Sequence, residues 1–347
     1  TPGGPAVDKQ RARFGLPPLA PVPVEEIQTL LKPDAEAPPQ KPATAPPPRP
    51  APAREGQKRF AFFPGCLIPA RHPAMEAAIR TTLTNLGMEI ADLDGASCCP
   101  DPIYFKSKDK LDWLSVAARN LTLAEEQGLD VFTNCSGCTA TLSETRHLLE
   151  DEELKGKVNT RLQRIGRHYD GTTRVKHVAA LLRDEIGYEA IKKSVKRPLT
   201  GLKVAIHYGC HLLKPSQIMH VDDADYPSIL EDLISATGAT PISHDEELLC
   251  CGKGCIDDDM PVDMVYDIFS SIRESGADCM GLICPTCFSS FDLGQIVVGR
   301  KKDTKFDIPV IYYFQLLGLA QGLSAEDVGL GLHKVNADRV LERVGAV

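Results

Sequence analysis

The strongest constraint on the fold is that the chain repeats one pattern of cysteines twice in the same order. The segment "RFAFFPGC" (59–66) corresponds to "KVAIHYGC" (203–210), so each copy begins with a short apolar run that ends in Gly-Cys. A pair of adjacent cysteines and then a Cys-x-x-Cys pair follow in each copy, within residues 95–101, 128–138, 247–253 and 276–287. An internal repeat of this kind predicts two similar structural units made by tandem duplication.

The segments between these cysteines alternate short apolar runs with helical periods. Residues 73–87 and 264–278 space their apolar side chains as one face of a helix does, and each has a glycine at or near the helix end. Both copies also finish alike, with a strand-like run that leads into an amphipathic helix in residues 173–187 and 307–322. This alternation predicts an α/β fold with mainly parallel strands, in which the cysteines follow strands and lie where loops build binding sites.

The length of the chain allows two packed domains. It has 347 residues, of which 43% are hydrophobic and 25% are charged, as in ordinary globular proteins. We predict two tandem α/β cysteine-rich domains, residues 59–198 and residues 199–347, the second of which includes a C-terminal tail. A proline-rich extended arm, residues 1–58, precedes them.

The arm contains 15 of the 27 prolines, and this composition favours extended geometry without a core of its own. One piece, "VEEIQTLLK" (24–32), is amphipathic and places Ile27, Leu30 and Leu31 on one side, although a solvated linker is the alternative interpretation. We expect the arm to dock on a partner protein and to take no part in the chemistry, so that removing it leaves bound metal in place.

Composition also argues against several classes of partner. No basic segment followed by an apolar core stands near the N-terminus, and nowhere do 18 apolar residues run together, so we expect a cytoplasmic protein without direct membrane insertion. A net charge of −8 without a long basic run argues against nucleic acid. In that compartment the cysteines are expected to be reduced or bound to metal.

Each copy offers five thiols in one pattern. The candidate ligands are Cys66, Cys98, Cys99, Cys135 and Cys138 in the first copy and Cys210, Cys250, Cys251, Cys284 and Cys287 in the second. Two further cysteines, Cys255 and Cys279, lie outside the pattern and are expected to be bystander thiols. A structural zinc site and an ordinary iron–sulfur cubane each need only four thiolates, so five thiols from three loops favour a site with several irons, with the adjacent pair holding or bridging neighbouring metals.

The doubled pattern resembles the cysteine-rich CCG domain, which occurs twice in the B subunit of heterodisulfide reductase and its relatives. The resemblance covers roughly residues 59–322. It implies that each five-cysteine set binds a noncubane [4Fe-4S] cluster and that a disulfide substrate lies between the two copies, where each cluster delivers one electron. It also implies two partners, a small ferredoxin-type iron–sulfur subunit and an FAD-containing subunit, which supply the electrons.

The two copies are not identical around their cysteines. Pro100 follows the first adjacent pair where Gly252 follows the second, so the first copy lacks a backbone N–H that could hydrogen-bond a cluster sulfide. His207, His211 and Lys253 lie beside second-copy ligands and are candidates either for delivering protons or for orienting the ligand loops. No catalytic acid follows from the sequence alone.

The main functional prediction is therefore an oxidoreductase subunit that interconverts a disulfide, or a related sulfur substrate, and thiols. One alternative is a CCG electron-transfer subunit of a fumarate-, lactate- or glycerol-phosphate-oxidising system. Another is a zinc-stabilised scaffold without redox activity. No dinucleotide, phosphate-loop or flavin fingerprint occurs in the sequence, so in the redox interpretations electrons must arrive from another protein.

Overall fold

The computed structural model describes residues 4–33, 58–257 and 259–345. Each copy of the repeat forms one four-stranded sheet in which every strand pairing is parallel. The first sheet has the order β2-β1-β3-β4 and the second has the order β6-β5-β7-β8. The strands are β1 (Lys58–Phe63), β2 (Met88–Asp92), β3 (Val131–Thr133), β4 (Val175–His177), β5 (Lys203–His207), β6 (Thr240–Ile242), β7 (Cys279–Leu282) and β8 (Val310–Tyr312). The predicted α/β fold with parallel strands is confirmed.

Helices connect the strands in both repeats. The helices of the arm and of the first repeat are α1 (Pro5–Ala12), α2 (Val24–Leu30), α3 (Leu67–Arg71), α4 (Pro73–Asn85), α5 (Tyr104–Lys108), α6 (Lys110–Gln127), α7 (Ser136–Leu148), α8 (Glu152–Leu162), α9 (Val178–Leu181) and α10 (Tyr188–Ser194). Those of the second repeat are α11 (Cys210–Leu213), α12 (Ser216–Met219), α13 (Ile229–Ala236), α14 (Met260–Ser275), α15 (Pro285–Lys302), α16 (Tyr313–Ala320) and α17 (Asp338–Arg343). Short 3₁₀ or π segments occur at Gln163–Ile165, Leu182–Ile186 and Leu330–Leu332. Within the described residues, no helix combines the length and the apolarity needed to cross a bilayer.

Strand order determines where a binding site can form. In the first sheet the chain leaves β1 towards β2 on one side and then crosses to β3 on the other, so β1 and β3 are neighbours whose loops leave in opposite directions. The second sheet repeats this arrangement at β5 and β7. Such a switch point opens a crevice outside the carboxyl ends of the two strands. The strand order therefore predicts one binding site per repeat, at this edge of its sheet.

The two repeats pack into one continuous hydrophobic core. Helix α16 of the second repeat lies against α4 of the first, and Gln321, just beyond α16, accepts a hydrogen bond from Asn85 at 2.9 Å. Helices α11 and α12 of the second repeat also pack against α7 of the first. These contacts hold the two repeats together.

The described part of the arm packs on its own chain rather than extending towards a partner. Leu30 is fully buried against the first repeat, and Arg11 on α1 makes an ion pair of 2.5 Å with Glu76 on α4, with both charges buried. The predicted amphipathic piece is a helix, α2, and the surface that it covers belongs to α6 and the 3₁₀ turn after α8. The structure thus differs from the expected docking on a partner for residues 4–33, and the proline-rich stretch 38–52 lies outside the described residues.

Candidate metal centre

The predicted ligands lie at the carboxyl ends of the strands. Cys66 and Cys210 come three residues after β1 and β5, and Cys135 and Cys284 come two residues after β3 and β7. Cys135 and Cys284 stand just before the first turn of a long helix, α7 and α15 respectively. The second cysteine of each Cys-x-x-Cys motif lies within that helix. The adjacent cysteine pairs lie in the loops that follow β2 and β6. The sequence pattern therefore becomes one group of five cysteines beyond the carboxyl ends of the strands in each repeat.

In each set two thiols, the outer pair, lie as far apart as two ligands of one metal ion. Cys66 Sγ is 3.9 Å from Cys98 Sγ, and Cys210 Sγ is 3.8 Å from Cys250 Sγ. Two thiolates on one tetrahedral metal ion with metal–sulfur bonds of about 2.3 Å are separated by about 3.8 Å. Each outer pair can thus hold one metal ion without rearrangement.

The ten thiols form a single line that runs through both repeats. Neighbouring side chains along the line interact with one another, and the first set meets the second through direct interaction of Cys135 with Cys284. The order along the line is Cys66, Cys98, Cys99, Cys138, Cys135, Cys284, Cys287, Cys251, Cys250 and Cys210. The first half of this order reads as the mirror of the second half, so the two sets face each other as equivalent units.

The thiols share protons along this line. Hydrogen bonds from Cys138 and Cys98 lower the pKa of Cys99 to about 6. Hydrogen bonds from Cys210 and Cys251 lower the pKa of Cys250 to about 2. The bond between Cys250 and Cys210, together with burial, raises the pKa of Cys210. Because each thiolate depends on protonated neighbours, the whole line can ionise only when a cationic group neutralises it.

In each repeat a glycine leaves space for an inner sulfur, that of the second cysteine of the Cys-x-x-Cys motif. A Cβ atom added to Gly65 would lie 2.8 Å from Cys138 Sγ, and one added to Gly209 would lie 3.1 Å from Cys287 Sγ. Both glycines also have positive φ, +69° and +72°, which other L residues rarely adopt. The Gly-Cys dipeptide is thus part of the site, and its recurrence in both copies is the sequence signal for this role.

The donor set fits a group that contains several metal ions. Among the described residues, no three His, Cys, Asp or Glu side chains are already gathered as the ligands of a single ion. The sulfurs are instead spread along a line, and they are soft thiolate donors of the kind that bind iron–sulfur clusters. Cys279 is buried within β7, and Cys255 lies 3.6 Å from Met260 Sδ, so both stand apart from the line as expected.

Several buried polar groups that the sequence analysis did not single out surround the thiols. Tyr312 at the end of β8 donates a hydrogen bond of 2.7 Å to the Asn134 carbonyl in the first repeat. His177 holds the equivalent position at the end of β4, is buried, and lies within the electrostatic range of Cys284. The Asn134 side-chain amide is buried, and neither of its polar atoms has a partner among the described residues. Equivalent strand ends thus reach across to the opposite repeat.

His207 is the buried candidate among the three basic residues noted from sequence. Its two ring nitrogens have no hydrogen-bond partner among the described residues, and the ring packs edge-on against Phe291 at 4.6 Å. Burial lowers the pKa of His207 to about 3, so its imidazole is neutral and offers an N–H donor rather than a store of protons. His211 acts electrostatically on Cys250, and Lys253 contributes its backbone N–H to Cys251.

The predicted difference after the adjacent cysteines is present in the structure. The Gly252 N–H donates to Cys250 Sγ at 3.4 Å, and Pro100 at the equivalent position has no N–H to donate. A hydroxyl three residues after each Cys-x-x-Cys motif binds the loop in both repeats: Thr141 donates to the Pro100 carbonyl at 2.9 Å, and Ser290 donates to the Cys251 carbonyl at 2.8 Å. The loops are anchored alike and hydrogen-bonded differently.

Comparison with known proteins identifies the family of the two repeats. The cysteine-rich domain family CCG matches residues 60–143 and 204–292. The B subunit of the ferredoxin/F(420)H(2)-dependent CoB-CoM heterodisulfide reductase of Methanosarcina acetivorans is 38% identical over 291 residues, which cover 82% of this chain and 97% of that protein. The 8-methylmenaquinol:fumarate reductase membrane anchor subunit of Wolinella succinogenes is 32% identical over 82% of this chain and 99% of that protein.

A solved structure shares the fold. The crystal structure of a hypothetical protein from Helicobacter pylori superposes with a TM-score of 0.64 at 15% sequence identity, covering 95% of this chain and 60% of that one. At this identity the likeness concerns the fold alone. Two cysteine-rich domains in tandem, together with 38% identity over nearly the whole length of the Methanosarcina protein, show that this chain belongs to the family of heterodisulfide reductase B subunits, which are iron–sulfur oxidoreductase components.

Proposed function

We propose that this chain is the catalytic iron–sulfur subunit of a heterodisulfide-reductase-like complex, and that it interconverts a disulfide, or a related bound sulfur substrate, and thiols. The observation that carries the proposal is the line of ten thiols in two matched halves that meet at Cys135 and Cys284. Two adjacent one-electron centres match the two electrons that cleavage of one disulfide requires. The proposed cofactors are two noncubane [4Fe-4S] clusters, one for each five-cysteine set.

The residues of the chain account for binding and positioning. The five thiols of each repeat hold its cluster, and Gly65 and Gly209 keep side chains away from the inner sulfurs. When bound, the clusters supply the electron transfer, one electron from each for a substrate S–S bond that takes up two electrons and two protons to give two thiols. Since His207 is buried and neutral, we assign it a hydrogen-bond donor role towards the second set, and the two protons come from solvent.

The proposed partners are a small ferredoxin-type iron–sulfur subunit and an FAD-containing subunit, in a cytoplasmic complex. The relatives' names describe them as subunits of multi-subunit reductases, which supports this assembly. A second candidate function is electron transfer in a fumarate-type oxidoreductase, and the name of the Wolinella relative favours it. Thiols formed from a disulfide by the assembled complex support the first function, and fumarate-dependent oxidation without thiol formation supports the second.

Iron content tests the cofactor proposal directly. Anaerobically prepared protein should contain about eight irons per chain, four for each set. Replacing one thiol of the second set, Cys251→Ser, should remove about four irons and leave the spectrum of the first set in place. Cys255→Ser is the matched control, because this thiol lies in the same loop but outside the line, and it should keep all eight. Four irons in the unsubstituted protein, or stoichiometric zinc, would contradict the assignment.

A further inference from the structure

The arm reaches the first repeat through a carboxylate on α2. Glu26 makes an ion pair with Arg119 on α6 and a second one with Arg167, whose Nε lies 2.8 Å from Glu26 Oε1. Arg119 is 1% exposed, and the carboxylate from the arm is the ion-pair partner of its buried charge, with a further electrostatic contribution from Glu126. Leu30 and a hydrogen bond of 2.8 Å from Arg164 to the Lys32 carbonyl hold the same helix in place.

Arg119 and its neighbour Asn120 fix the backbone of the loop that carries the first adjacent cysteine pair. Arg119 Nη1 donates to the Gly95 carbonyl at 2.5 Å. Asn120 Oδ1 accepts from the Ser97 N–H at 2.9 Å, and Asn120 Nδ2 donates to the Cys98 carbonyl at 3.0 Å. Two adjacent side chains on α6 thus hold three backbone groups within residues 95–98. The arm neutralises the charge of one of these side chains, Arg119.

We propose that the arm braces the first cysteine pair, with Glu26 as a positioning residue that acts through Arg119 on residues 95–98. A buried guanidinium without a counter-ion turns towards solvent, and this movement withdraws the hydrogen bond from Gly95 and loosens the ligand loop. The first set therefore holds its metal more tightly while α2 is docked, which differs from the expectation from sequence that the arm has no effect on bound metal. The inference rests on the proposed function in one respect, that the first set binds iron.

In the part of the second repeat that the structure describes, this brace has no equivalent. Counted back from Gly128 and Gly276, which end α6 and α14, the positions of Arg119 and Asn120 correspond to an exposed Asp267 and a buried Ile268. The Methanosarcina and Wolinella relatives align with 82% of this chain but with 97% or more of their own lengths. About a fifth of this chain therefore lies outside these two alignments. The brace is accordingly expected to affect one set and leave the other unchanged.

The test compares iron release to a chelator from full-length, anaerobically loaded variants. Glu26→Gln should release about four irons roughly tenfold faster than the unsubstituted protein, and the other four at the unchanged rate. Glu25→Gln is the control, because this neighbouring carboxylate on the same helix is exposed, and it should leave both rates unchanged. The Cys251→Ser background, in which the first set alone is loaded, assigns the faster phase.

Two further measurements separate a positioning role from a general loss of stability. If Glu26 acts through Arg119, the double variant Glu26→Gln/Arg119→Met should release iron no faster than Arg119→Met alone; full additivity would overturn the proposal, as would equal acceleration of both phases. Amide exchange at Ser97 reports on the loop without reference to iron. Faster exchange in Glu26→Gln supports the brace even if the cofactor assignment fails, and unchanged exchange overturns it.

Discussion

Phe63 and His207 occupy equivalent positions, each three residues before the first cysteine of its repeat, and both are buried. One presents a phenyl ring and the other an imidazole whose two nitrogens lack partners among the described residues. At the position before the Cys-x-x-Cys motif the order is reversed: the first repeat has the polar Asn134 and the second has Ile283. The two repeats share the cysteines and differ in the polar groups around them.

The loops with adjacent cysteines differ in the same sense. The first is held from outside by Asn120 and lacks an N–H at Pro100, whereas the second receives a hydrogen bond from Gly252 to Cys250 Sγ. Hydrogen bonds to cluster sulfurs, and to the residues that ligate them, set reduction potentials and metal affinity. Two sites with equal ligands and unequal surroundings are therefore expected to differ in potential and in iron retention.

The largest expected effect tests what the two repeats share. Gly65→Ala and Gly209→Ala should each remove about half of the bound iron, because the new Cβ meets an inner sulfur at a backbone conformation that alanine disfavours. Gly65→Ala should be the more severe, since its contact of 2.8 Å is shorter than the 3.1 Å of Gly209→Ala. Iron analysis per chain measures both.

Gly87→Ala separates backbone strain from the contact with sulfur. Gly87 has φ +80°, and an added Cβ would meet nothing within 4 Å. This variant should lose stability but keep its iron. Equal iron loss in all three variants would show that the two glycines have no specific role at the thiols.

A smaller effect is expected where the repeats differ, at His207. His207→Phe installs the residue of the first repeat and removes a buried N–H donor within electrostatic range of Cys284 and Cys250. Loss of a donor destabilises the reduced, more negative state, so the midpoint potential of the second cluster should fall. A tenfold change in this one-electron equilibrium corresponds to a fall of about 59 mV. Redox titration monitored by electron paramagnetic resonance measures the shift.

Two variants complete this test. His207→Gln keeps an N–H donor and should restore most of the potential, and Phe63→Leu should leave the second cluster unchanged. If His207→Phe retains its iron and both potentials stay where they were, the imidazole has no influence on the site and the asymmetry has another origin.

The sequence was sufficient to single out the ten thiols that the structure brings into one line, but not the groups that touch them. The α/β alternation and the placement of cysteines after strands follow from local periodicity, which needs no knowledge of tertiary contacts. The meeting of Cys135 with Cys284 depends on how one repeat packs on the other. The docking of the arm depends on charges such as Arg119 and Glu76, which look like ordinary surface residues until the fold buries them. A partner surface was therefore a reasonable expectation for an amphipathic helix, and its own chain supplied that surface.

The smallest expected effect concerns the contact between the repeats. Tyr312→Phe removes the hydrogen bond from the Tyr312 hydroxyl to the Asn134 carbonyl and leaves that buried carbonyl without it, which should cost about 1 kcal/mol of the free energy of unfolding. The next residue provides a matched control, because the hydroxyl of Tyr313 is buried and has no partner among the described residues. Tyr313→Phe should be neutral or slightly stabilising, since no hydrogen bond is lost and a buried polar atom is removed. Chemical denaturation of the iron-loaded variants measures both free energies. Equal effects of the two substitutions would mean that the bond across the repeats contributes nothing to their association.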